Sequence, residues 1–150
     1  MTTVLDRDKE ALKNVELMIL EQDMPSEKLD DPAAAMREAV CSSGLPARIK
    51  PGMSVCIGAG SRGIANMPIM LRTVAEIVRE QGAEPFFIPA MGSHGGATAG
   101  GQLELLGDLG VTVESVGAPI RATMDTVQLG ETPQGVPVFM DRYAAAADGV

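Results

Sequence analysis

The chain has 150 residues, 45% of them apolar and 21% charged, with a net charge of −8 and one histidine. That length suits a single domain able to bury a contiguous core, and no apolar stretch approaches the ~18 residues of a membrane span. The acidity argues against nucleic acid or an anionic membrane as partner, because both need a cationic footprint.

The opening stretch "MTTVLDRDKEALKNVE" places charges where a signal peptide needs an apolar centre, so the chain reads as soluble and cytoplasmic. Residues 1–31 form an N-terminal extension or an edge strand. Leu12, Val15 and Ile19 fit a helical stripe, while Val15, Leu17 and Ile19 alternate as in a strand, and we take a strand over 15–22. In "DDPAAAMREAV", Asp31 caps a helix that runs from 32 to about 42, and Pro32 fits its first position, where the missing N–H is no loss.

Pro51 and Gly52 turn the chain into a strand over 53–58. Asn66 then caps a helix whose apolar stripe is Met67, Met70, Leu71, Val74, Ile77 and Val78, ended by Gly82. A second apolar strand, 85–90, completes a βαβ unit with both strands apolar on both faces, as a covered parallel sheet requires. Next comes a short helix over 99–109 with Leu103, Leu106 and Leu109 on one side, closed by Gly110. "TMDTVQLGETPQGVPVFMD" reads as two strands around the turn "ETPQG", "RYAAAAD" as a helical turn or two, and "DGV" as the start of a further strand. A chain ending as a strand begins reads as a fragment boundary. The fold class is therefore α/β, a mostly parallel sheet with flanking helices and a C-terminal β-hairpin. Cys41 and Cys56 lack CxxC spacing and are expected as buried structural thiols rather than a disulfide or metal ligands.

Chemistry gathers at the ends of the two parallel strands. "GAGSRG" at 58–63 matches GxGxxG, but the second strand ends in Pro89, Ala90 and Met91 without the acidic residue a ribose needs, which argues against a dinucleotide fold. Arg62 sits where open α/β sheets bind ligands, beside helix amides that favour an anion, so carboxylate or phosphate is its natural guest. The other reading is a solvated arginine paired with one of the 20 acidic residues. His94, among glycines in "AMGSHGGATAGG", has general acid/base as its leading role; the alternative is an imidazole that locks the loop by bonding a carbonyl. Gly92, Gly95 and Gly96 allow a ligand close to the backbone. Ser93, Thr98 and Asn66 are candidate hydrogen-bonding residues with equally good readings as caps and turn formers. Met67 and Met70 read as core.

"GSRGIAN", followed by "PAMGSHGGAT" and then "VTVESVGAPI", resembles the N-terminal domain of the lactate racemase family, the nickel-pincer-nucleotide enzymes, over most of residues 28–150. The resemblance implies the N-terminal domain of a two-domain enzyme, with 32–150 as the racemase-like part, that interconverts the two hands of a small anionic 2-hydroxy acid. In the implied mechanism a histidine removes the hydroxyl proton while the carbon-bound hydrogen passes as hydride to the cofactor. His94 then matches one of two acid/base histidines and Arg62 the active-site arginine, with Ser61, Gly63, Asn66, Ser93, Gly95 and Thr98 as candidate cofactor-binding residues. Two departures stand out: Ala59 replaces an acidic residue three positions before the arginine, and Gly100 replaces an expected acidic helix-start residue. A nickel site, a second histidine and an attachment lysine cannot come from one histidine and from Lys9, Lys13, Lys28 and Lys50, which all precede the first βαβ strand. They are expected outside the chain, from a C-terminal domain of the same protein, with an apolar edge near Val150 that favours self-association. The competing readings are a non-catalytic anion- or nucleotide-binding module and an ordinary nicotinamide oxidoreductase.

Overall fold

The computed structural model describes residue 13 and residues 18–24 and 28–150. Residues 15–17 of the expected first strand lie outside the described residues; 18–22 are in no regular element and Ile19 is 98% exposed, so no core face is there to hold them as a strand.

Helix α1, Pro32–Ser42, starts as expected: the Asp31 side chain accepts from the Ala34 amide at 2.9 Å and Pro32 opens the first turn. It lies on α2, Met67–Glu80, where Arg37 pairs with Glu80 at 2.8 Å. Strand β1 is Ser54–Ala59 and β2 is Glu84–Pro89, each one residue from its expected bounds, and they pair in parallel from Ser54 opposite Glu84 to Ala59 opposite Pro89. Two further positions extend the sheet, both parallel: Ile120 bridges to Phe87 on one side and Gly149 to Val55 on the other. The strand start read in "DGV" is thus a single parallel bridge. Asp148 secures it, since the Ser54 amide and hydroxyl both donate to its carboxylate at 2.8 Å. Those bonds hold the Asp148 carboxyl below its ordinary range. The clamp therefore contributes fully above that range and is lost as pH falls through the folded value.

β2 alternates across two cores. Phe87, fully buried, joins Ala59, Met67, Ala75, Leu106, Val111 and Val116 on one face, and burial of one such ring contributes on the order of 1.5–3 kcal/mol. Phe86 and Ile88 join Cys56 and Ala144 on the other. The expectation of two covered faces holds for β2 and only in part for β1, of which Cys56 and Ala59 alone are buried. Val55 and Ile57 instead line an apolar groove of about 480 Å³ with Leu45, Ile49, Met53 and Val150, the apolar edge anticipated there. Met67 is buried and Met70 packs against the same cluster, as read.

Helix α3, Ala99–Asp108, buries Gln102 and Leu106, whereas Leu103 is 40% exposed. Its inner face is thus the 102, 106, 109 stripe, one residue from the face read in sequence. Helix α4, Val113–Val116, was not anticipated; a reciprocal pair of bonds between Thr112 and Ser115 closes its first turn. The expected hairpin is β3, Thr126–Glu131, against β4, Pro137–Asp141, followed by α5, Arg142–Ala145, capped by Asp141. Both thiols are free. Cys56 is buried, and loss of solvation pushes it up to about 11; Cys41 is exposed, because α1 buries no residue, which corrects the expectation of a second buried thiol. No helix among the described residues is long and apolar enough to cross a membrane.

Candidate functional site

The last rung of the parallel pair creates the site. The Ala90 amide donates to the Ala59 carbonyl at 2.8 Å, so the two loops leave the sheet's carboxyl edge side by side. Ser61 and His94 are then close enough to bond: Ser61 Oγ lies 2.6 Å from His94 Nδ1. Nothing in the sequence pairs them across 33 positions; the parallel register does.

The His94 loop is held by its backbone. Gly95 and Gly96 at φ 63° and 66° start a 3₁₀ turn, Gly95–Ala97, which leads into α3. Thr98 caps α3, accepting from the Gly101 amide at 3.1 Å while its hydroxyl donates to the Gly95 carbonyl at 3.1 Å. Gly95 and Gly101 touch so closely that a Cβ on Gly101 would fall 2.0 Å from the Gly95 oxygen. Buried Gln102 adds a pin, its Nε2 donating to the Gly92 carbonyl at 2.8 Å. Sequence reasoning missed Gln102. Its signal was there, a polar residue four before Leu106 and seven before Leu109, on the face that α3 turns inward.

The remaining candidates divide. Arg62 is exposed and has no hydrogen-bond or ion-pair partner among the described residues, so the pairing with an acidic residue is not seen there. Gly63 turns the loop at φ 62°. Ser93 accepts from the Ala97 amide through its carbonyl, at 3.1 Å, which leaves its exposed hydroxyl available. Thr98 supports the loop through both its bonds. Asn66 does not cap α2. It sits at φ 61° with no side-chain bond to the helix, a left-handed position that asparagine tolerates better than most residues. The helix amides expected beside Arg62 are also depleted, since Met67 N–H donates to the Ile64 carbonyl at 3.2 Å and Pro68 has no N–H. With those amides taken up, the exposed Arg62 guanidinium is the group of this loop that could pair with an anion. The first glycine of "GAGSRG", Gly58, lies inside β1, where a Cβ would fall 3.1 Å from the Ala90 Cβ, so it serves strand packing.

Together the loops present a planar cation, an exposed imidazole with a hydroxyl on one ring nitrogen, and a free serine on a glycine-lined rim. That arrangement can grip an anion and move a proton nearby. Among the described residues no group of three or more His, Cys, Asp or Glu is placed to hold a metal. A family model described as the lactate racemase N-terminal domain matches residues 9–150. No curated protein matches, and no solved structure does.

Proposed function

The chain belongs to the lactate racemase family by its N-terminal domain, and we propose on that premise that it forms one wall of a 2-hydroxy-acid racemase or epimerase site. The observation that carries the reading is the Ser61–His94 contact at the sheet's carboxyl edge, with the exposed Arg62 next to Ser61 in the chain. In this role Arg62 grips the substrate carboxylate or a cofactor phosphate, and His94 takes and returns the proton of the substrate hydroxyl. Ser93, Gly95 and Gly63 line the rim close to the bound groups, whereas Thr98 supports it and Asn66 shapes the entry to α2. Hydride acceptance belongs to the nickel-pincer nucleotide that the family uses. Among the described residues no group of three or more His, Cys, Asp or Glu is placed to hold its metal. The second histidine, the metal ligands and the attachment lysine fall, on this reading, to a C-terminal domain of the same protein, and self-association through the groove beside β1 belongs to the same picture.

Chiral chromatography of 2-hydroxy acids incubated with the holoenzyme tests the reading. Inversion of at least one acid is expected. Binding of the same anions with no inversion of any of them would instead favour a non-catalytic anion-binding module. Arg62→Lys keeps the charge but loses the two-pronged grip, and it should weaken anion binding by roughly 1 to 3 kcal/mol. Calorimetric titration reads this directly, and unchanged affinity would return Arg62 to an ordinary solvated arginine.

A further inference from the structure

Among the described residues the His94 ring has one hydrogen-bond partner, Ser61, on Nδ1 at 2.6 Å. The geometry points to Ser61 as the positioning residue of His94, its oxygen accepting the Nδ1 proton so that the Nε2 lone pair is free to take the substrate's hydroxyl proton. This rests on the acid/base reading of His94 given above. It changes the role of Ser61 from a cofactor-binding residue to one that acts through the imidazole.

A neutral imidazole carries one proton, and the nitrogen that holds it is set by the partner of the other. For Nε2 to act as a base, the proton must sit on Nδ1, and Nδ1 then needs an acceptor. A serine oxygen supplies that while keeping its own hydrogen to donate elsewhere. Both ends of the bond are held by backbone that neither side chain controls. Ser61 follows the Ala59–Ala90 rung by two residues, and His94 N–H donates to the Met91 carbonyl at 3.4 Å in a loop that Gln102 pins at Gly92. The pair is therefore preset before a ligand arrives. An aspartate in this place would also fix the ring, but it would add a negative charge beside an anion site; serine orients without repelling the substrate.

Because the chain has one histidine, imidazole nitrogen NMR on the isotopically labelled protein reads its tautomer without ambiguity. With the ring neutral, the wild type and Ser61→Thr should both hold the proton on Nδ1. Ser61→Ala should lose most of that form and shift several-fold toward the Nε2–H form that unconstrained histidine prefers. In the holoenzyme Ser61→Ala should lower kcat by about 10²-fold with KM little changed, and Ser61→Thr should recover most of the loss. A wild-type ring protonated on Nε2, or a tautomer indifferent to Ser61→Ala, would overturn the inference. So would stable acylation of Ser61 by an activated ester, which would make the serine a nucleophile. If the holoenzyme inverts no 2-hydroxy acid, the proposed racemase activity fails, while the NMR comparison still decides the pairing.

Discussion

His94→Asn in the holoenzyme is expected to cut turnover by about 10²- to 10⁴-fold while leaving the fold intact. The imidazole is exposed, and its one hydrogen bond among the described residues is to Ser61, so removing it empties no core site. What shapes the loop is the Gly95–Gly101 approach, the Thr98 cap and the Gln102 pin, none of which involves the ring. Asparagine is close in size and can still bond Ser61, yet it cannot take up a proton near neutral pH. Loss of turnover with an unchanged thermal midpoint is the signature of an acid/base group. Turnover like the wild type would remove His94 from the chemistry, and a large fall in the midpoint would show that the ring supports the loop after all.

The βαβ unit was legible because each of its signals is local. Pro51 and Gly52 open β1, the stripe from Met67 to Val78 has the helical period, and "PFFIP" is apolar enough to need cover on both faces. The hairpin likewise announces itself through "ETPQG", and α1 through Asp31 and Pro32. The outer sheet positions at Ile120 and Gly149 were harder, since each is a single bridge with no strand-length run behind it. Arg62 and His94 stood out by residue type. Their arrangement did not, because the Ser61–His94 bond depends on a parallel register joining residues far apart in sequence. Asn66 misled for a related reason: asparagine favours both the N-cap and the left-handed region, and the loop geometry chose the second.

Gly101→Ala and its neighbour Gly100→Ala are expected to have opposite effects, although both replace glycine by a better helix former in the first turn of α3. A Cβ on Gly101 would fall 2.0 Å from the Gly95 oxygen, 2.8 Å from the Gly95 carbonyl carbon and 2.9 Å from Thr98 Oγ1. The first two are backbone atoms next to His94, so they cannot yield without moving the loop that carries the imidazole. Overpacking of this kind costs about 1–3 kcal/mol, occasionally more. Turnover should fall further than stability, because the loop can relieve the clash only by giving up the Thr98 cap and the distance from His94 to Ser61. At Gly100 a Cβ would meet nothing within 4 Å, so Gly100→Ala should instead raise stability by up to about 1 kcal/mol through helix propensity alone. Urea unfolding read at constant slope, paired with turnover of the holoenzyme, separates the two. If the two variants behave alike, the close approach of Gly95 and Gly101 is not what holds the histidine loop, and its shape must then come from Gln102 and the 3₁₀ turn.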